Sequence, residues 1–339
     1  MRLRPDPEQR AFAASLGTLL TKADTPAVIR EWSRGAHPRG RALWSRIADA
    51  GVFALAVPEA YGGLGARPAD LAVAFTELGR HAVPGPLVET VAAAALLTAL
   101  PDPGPAGRLL PALARGETLA TLAPPGSGYA LDGDAADLRL ALSPDALRAA
   151  PGHGPVSPSL DPARRRTPLL PGGELLAADP PLATAVSWAR LATAAQALGV
   201  GLALLDRTVE QVKARRQFGV PIGSFQSVKH RLADARIALD FAAPLVLGAA
   251  LTMAPADLAA AKARACEAAY TTARTALHLH GALGYTAEYD LSLWLLKARA
   301  LRGAWGTPEE CVTAVLDGHG DGHGGGHGPD QGQQSGACP

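Results

Sequence analysis

The chain has 339 residues, 48% of them hydrophobic and 19% charged, enough for about two domains and too apolar for a disordered chain. Lys and Arg number 32 against 31 Asp and Glu, a formal net charge of +1, so no overall field draws the chain to nucleic acid or to an anionic membrane. The three cysteines, Cys266, Cys311 and Cys338, lie far apart and are odd in number, which is not the pattern of a disulfide framework.

Residues 1–10 are charged, with two prolines and no apolar stretch, unlike a signal peptide. In chain order, amphipathic spacing predicts helices over Glu8–Leu20, Arg41–Ala50, Pro68–His81 and Pro86–Leu100. The last is almost wholly apolar and so is expected to be buried on most sides. Its run Val91–Leu100 is too short to span a bilayer, and the expectation is a soluble, cytoplasmic protein.

The composition then changes. Between Leu122 and Pro181, 18 of 60 residues are Gly or Pro, only Val156 and Thr167 are β-branched, and Tyr129 is the one aromatic. A packed β-domain draws heavily on both kinds of side chain, so this stretch predicts a reduced middle domain of short, Pro-broken strands and loops. The triplet Arg164-Arg165-Arg166 between prolines reads as a solvated loop.

Beyond it the helical signal strengthens. Leu191, Ala195, Leu198, Leu202, Leu205, Val209 and Val212 alternate steps of four and three. Phe225 to Val246 and Ala259 to His280 repeat that spacing. Three long helices, each with one sustained apolar stripe, predict an antiparallel bundle, and their frequent Ala and Gly let the helices approach closely. His280 lies on the apolar seam and reads as a core histidine. The tail, 317–339, holds nine glycines, with His319, His323 and His327 at a four-residue step, and is expected to be solvated rather than a metal site. The expected organisation is an N-terminal helical domain (1–120), a shortened middle β/loop domain (121–181), a C-terminal helical bundle (182–316) and a disordered tail (317–339).

Three motifs sit between the helices. They are Val57-Pro58-Glu59-Ala60-Tyr61-Gly62-Gly63-Leu64-Gly65, then Arg215-Arg216-Gln217-Phe218-Gly219-Val220-Pro221-Ile222-Gly223-Ser224-Phe225-Gln226, then His278-Leu279-His280-Gly281-Ala282-Leu283-Gly284. Their order and spacing resemble the acyl-CoA dehydrogenase family, whose fold is a helical domain, a β-domain and a four-helix bundle. The second motif suits a dinucleotide on its own chemistry. Arg215 offers a rigid fork of donors for a pyrophosphate, Phe218 an aromatic face, and Gly219 close backbone approach. The resemblance implies that Arg215, Gln217, Phe218, Gln226, His278, Gly281 and Ala282 reach the ADP half of an FAD bound by a neighbouring subunit. His278 stands where the family usually has Gln, and Ala282 where it has Gly. The plainer alternative leaves Arg215 and Arg216 as solvated loop charges and has Phe218 plug the end of the bundle.

The family removes an α-proton from an acyl-CoA thioester while hydride leaves the β-carbon, so a carboxylate must serve as base. The two family positions for it correspond here to Trp305, in Leu301-Arg302-Gly303-Ala304-Trp305-Gly306-Thr307, and to Ala189, before Arg190. Neither can take a proton. In the middle stretch, Leu122-Ala123-Pro124-Pro125-Gly126-Ser127-Gly128 lacks the acidic residues of the family pattern. The chain therefore resembles the small subunits of actinobacterial α2β2 dehydrogenases of steroid side-chain CoA thioesters. That resemblance implies FAD shared with a larger catalytic subunit and electron transfer flavoprotein as acceptor. Two alternatives are a self-sufficient enzyme with Glu309 or Glu310 as a displaced base, and a flavin-free helical scaffold. A Thr-Pro-Glu-Glu run is also an ordinary helix start.

Overall fold

The structure, a computed structural model, describes residues 3–320. Six helices open the chain: α1 (Pro7–Thr21), α2 (Thr25–Ser33), α3 (Pro38–Asp49), α4 (Pro68–Arg80), α5 (Leu87–Thr98) and α6 (Pro103–Ala114). Four match the amphipathic spacing; α2 and α6 do not come from it. The sequence of α6 holds Pro103, Pro105, Pro111 and two glycines, and it begins on a cap in which the Asp102 carboxylate accepts from the Gly104 amide at 2.9 Å. Prolines in a first turn fall where amides are unpaired in any case, and the buried Leu110 and Leu113 supply packing that spacing alone does not reveal.

The middle stretch keeps six short strands: β1 (Ala120–Ala123), β2 (Ala130–Leu131), β3 (Leu138–Leu142), β4 (Ala146–Ala149), β5 (Arg166–Thr167) and β6 (Glu174–Ala178). Four of them form one sheet in the order β1-β3-β4-β6, with β1 parallel to β3, the other pairs antiparallel, and an irregularity at Leu147/Arg148. β2 and β5 pair separately. The strands are built largely from Ala and Leu, so pairing and burial rather than β-branching hold them. The sheet is fastened to the helices through the Thr90 hydroxyl, which donates to the Ala120 carbonyl at 2.6 Å. Arg165 is not solvated: it is half-buried and bonds the Asp134 carboxylate through Nε and Nη2 (2.9 and 2.8 Å).

Five further helices follow: α7 (Leu182–Ala214), α8 (Gln226–Thr252), α9 (Pro255–His280), α10 (Leu291–Gly303) and α11 (Pro308–Gly320). Between α7 and α8 lies a small hairpin of β7 (Arg216–Gln217) and β8 (Val220–Pro221). α11 continues past the expected start of the tail at 317; the rest of the Gly/His stretch lies outside the described residues.

α7 is the central helix. It crosses α4 so closely that a Cβ on Gly199 would lie 1.9 Å from the Thr76 carbonyl oxygen, and one on Gly79 would lie 2.1 Å from that of Gln196. α10 closes the junction: Trp294 Nε1 donates to Arg80 O (2.8 Å) and buried Lys297 Nζ to Val83 O (3.0 Å). By length and composition α7 and α8 could each cross a membrane, but the most apolar window of α7 is 89% buried inside the fold and that of α8 39%.

Candidate functional site

The antiparallel run of α7, α8 and α9 brings the end of α7, the start of α8 and the end of α9 to one end of the bundle. Arg215, the first residue past α7, donates from Nη1 to the His280 carbonyl at 3.0 Å. That carbonyl belongs to the last turn of α9, where orphan carbonyls and the negative end of the helix dipole favour a cation. Nε and Nη2 of Arg215 make no hydrogen bond among the described residues. Gly281 follows at φ +61°, and a Cβ there would press on Arg215 Nη1 at 3.2 Å.

Gln217, Phe218, Gln226, His278 and Ala282 are all exposed at this end. Phe218 does not plug the bundle: it is 90% exposed at the tip of the β7–β8 hairpin, with φ +52°, and its ring meets Phe225 edge-on (6.2 Å between centroids). Beside it the backbone at Gly219 is open. His280, by contrast, is fully buried, and its Nδ1–H donates to Ala276 O (2.8 Å); burial holds its pKa below the usual imidazole value.

The two positions that the family resemblance assigns to the base lie at the opposite end. Ala189 and Arg215 are 26 residues apart, about 39 Å along the α7 axis at 1.5 Å per residue. One side chain cluster cannot reach both ends. Ala189 is fully buried. Trp305 sits on the α10–α11 turn at φ +56°, held by Lys262 Nζ donating to the carbonyls of Arg302 and Gly306 and by Arg190 Nε donating to Trp305 O (3.4 Å). Its indole Nε1 donates to Glu89 Oε1 at 3.1 Å. Glu310 caps α11, its Oε2 accepting from the Thr307 amide (2.7 Å) while Thr307 Oγ1 accepts from the Glu310 amide (3.2 Å). This is the capping box that the run of Thr and Glu permits, and Glu309 is exposed.

Between this turn, α5 and the middle stretch opens a cavity of about 560 Å³, lined among others by Glu89, Tyr129, Leu131, Arg164, Arg190 and Trp305. Glu89 is the residue that sequence reasoning missed. It is 3% exposed and its Oε2 has no partner. The available signal was a lone carboxylate inside an otherwise apolar, buried helix, since unpaired buried acids are rare. Nearby, Asp132 is fully buried; it accepts from Trp32 Nε1 (3.1 Å) and the Arg165 amide (3.2 Å), and burial raises its pKa to about 8.

The fit to a flavin dinucleotide differs between the two ends. At the α9 end, a half-free guanidinium, an exposed aromatic face and an open Gly219 backbone suit its adenylate and pyrophosphate half. At the cavity end, neither Trp305 nor Ala189 supplies a base. The loop Pro124–Gly128 contributes Pro124, Pro125 and Ser127 to the lining and no carboxylate.

Comparison with known proteins places these two ends in a family. Residues 6–117 match the acyl-CoA dehydrogenase N-terminal domain and residues 182–316 its C-terminal domain. The chain belongs to the acyl-CoA dehydrogenase family, flavoprotein oxidoreductases. Among its relatives is the acyl-CoA dehydrogenase IpdE2 of Mycobacterium tuberculosis, 33% identical over 91% of this chain and 96% of the relative. Among solved structures, the Tcur3481-Tcur3483 steroid ACAD is similar at a TM-score of 0.79 and 25% identity, covering 93% of this chain and 98% of its own. The ChsE4-ChsE5 complex from Mycobacterium tuberculosis shares the fold at a TM-score of 0.81 and 24% identity, over 95% and 99% of the two chains.

Proposed function

We propose that the chain is the base-lacking subunit of a heteromeric, FAD-dependent acyl-CoA dehydrogenase, and that it completes the FAD site of a larger catalytic partner in an α2β2 assembly. The observation that carries this is the separation of the two ends: about 39 Å of α7 lies between an exposed dinucleotide-type cluster at Arg215 and two base positions without a proton acceptor. The cluster points outward, so what it serves belongs to a neighbouring chain. Two relatives by structure are named as pairs of unlike chains. The exposed stripe Ile237, Phe241 and Leu245 on α8, at steps of four, offers an apolar face of the kind that assembly covers.

In this reading Arg215, held by the His280 carbonyl, keeps its remaining donors on the pyrophosphate, and Phe218 gives the adenine a face. Gln217, Gln226 and His278 add polar contacts, and Gly281 and Ala282 shape the backbone beside them. The flavin, when bound, accepts the hydride that leaves the substrate β-carbon. The α-proton goes to a carboxylate of the partner. The substrate class is a bulky acyl-CoA of the steroid side-chain kind, with electron transfer flavoprotein as the acceptor and the cytoplasm as the compartment. The 121–181 stretch serves as a shortened middle domain between the two helical ones.

Arg215→Ala in the assembled complex is expected to lower bound flavin at least about tenfold, the worth of a charge-assisted contact. Arg215→Lys, which keeps charge but not the fork, should fall between. Unchanged flavin content and turnover in Arg215→Ala would refute the cofactor role of Arg215 and favour the scaffold reading, in which this chain itself holds no flavin.

A further inference from the structure

The last turn of α9 is built around an imidazole that its neighbours only half satisfy. His280 is fully buried, and Nδ1–H donates to the Ala276 carbonyl at 2.8 Å, which leaves Nε2 as the unprotonated nitrogen. Nε2 is buried as well and has no hydrogen-bond partner among the described residues. A phenyl ring would fill the same space without a desolvated nitrogen, so the imidazole costs stability here.

The surroundings decide what Nε2 can do. Gly284 packs on the stem of the side chain, where a Cβ on it would lie 3.2 Å from the His280 Cβ. The Tyr289 ring lies 5.7 Å from the imidazole, centroid to centroid. The ionisable groups that meet His280 from neighbouring elements are Arg215, at the end of α7, and Tyr289, in the loop ahead of α10. His278, on the same helix, is exposed. No carboxylate is among them. A proton on Nε2 would set a second buried cation beside Arg215, with no acceptor to receive it. Burial first, and then the Arg215 charge, hold the folded imidazole below its ordinary value of 6.5, against the hydrogen bond to Ala276.

The same residue grips Arg215 through its carbonyl, at 3.0 Å. We propose that His280 is a proton-operated catch: neutral, it locks the last turn of α9 and positions Arg215; protonated at Nε2 from solvent, it drives that turn open and frees Arg215. In the open turn the ring reaches water and takes a proton at about its ordinary value. Each pH unit below about 6.5 therefore favours the open turn by up to about tenfold, and the effect fades above it. The consequence for bound flavin, faster release in acid, rests on the shared-site reading; the catch itself does not.

The test is hydrogen–deuterium exchange of the full chain alone, read by mass spectrometry from about pH 7.5 to about pH 5 and corrected for the intrinsic pH dependence of exchange. In peptides covering 274–285, opening is expected to rise by up to about tenfold per unit below about pH 6.5. His280→Phe, which keeps a ring and loses the titration, should flatten that rise, while peptides covering 191–205 of α7 should show none in either chain. A native profile that stays flat over this range would overturn the proposal, whether or not the variant folds. So would a rise that persists unchanged in His280→Phe, or one shared equally by the α7 peptides. Neither flavin nor a partner enters the experiment, so its failure is distinct from a failure of the base-lacking-subunit reading.

Discussion

At position 305, one of the two places that the family resemblance assigns to the base, an indole turns its N–H onto Glu89, a carboxylate delivered from α5 on a different part of the chain. The acid that lines the cavity here is thus presented by α5. A second buried acid gives a measurable signature. Asp132 has an ordinary value of 3.8 and a folded-state value of about 8. Between those two values the unfolded chain has released its proton and the folded chain keeps it, so this group's contribution to stability falls as pH rises from about 4 to about 8. The histidines His37, His81 and His280, all lowered by burial, act in the opposite sense. Asp132→Asn removes only the first effect. Its melting temperature relative to the native chain is expected to climb steadily from pH 5 to pH 8; a constant difference across that range would show Asp132 to be ionised in the fold.

At the scale of elements, the long bundle helices were legible because each needs one uninterrupted apolar stripe, and α7, α8 and α9 carry it over seven positions apiece. The close α4–α7 crossing was legible only as a general excess of Gly and Ala; the structure localises it to Gly79 and Gly199. Gly199→Ala gains up to about 1 kcal/mol of helix propensity but drives a methyl into the Thr76 carbonyl, and overpacking of this kind costs about 1–3 kcal/mol. Net destabilisation, read as a lower denaturant midpoint at unchanged slope, is the expected result. A gain in stability would mean the helices part without cost. Three things were not legible. α2 has nine residues and α6 is rich in Pro, so packing rather than spacing makes them helical. The strands pair through Ala and Leu, which carry little strand signal. Glu89 reads as one acid among apolar neighbours until Trp305, 216 residues away, is brought beside it.

At the scale of the whole molecule, α7 divides the labour. One end buries Ala189 under the cavity; the other releases Arg215 and the Phe218 hairpin to solvent. Those outward residues are the ones proposed to meet another chain. The motif Arg215–Gln226 reads as a dinucleotide contact because Arg, an aromatic and Gly follow one another at a helix end, and that role is the proposal. That these residues face outward was expected only through the family resemblance, and Phe218 is indeed 90% exposed.

The most direct measurement is flavin absorbance per chain, with native mass, for this chain purified alone and together with a full-length acyl-CoA dehydrogenase homologue from the same genome. Flavin is expected only in the mixed preparation, at one per unlike pair, in a complex of two copies of each chain. Flavin and substrate dehydrogenation by this chain alone would contradict the account and return the missing base to this subunit.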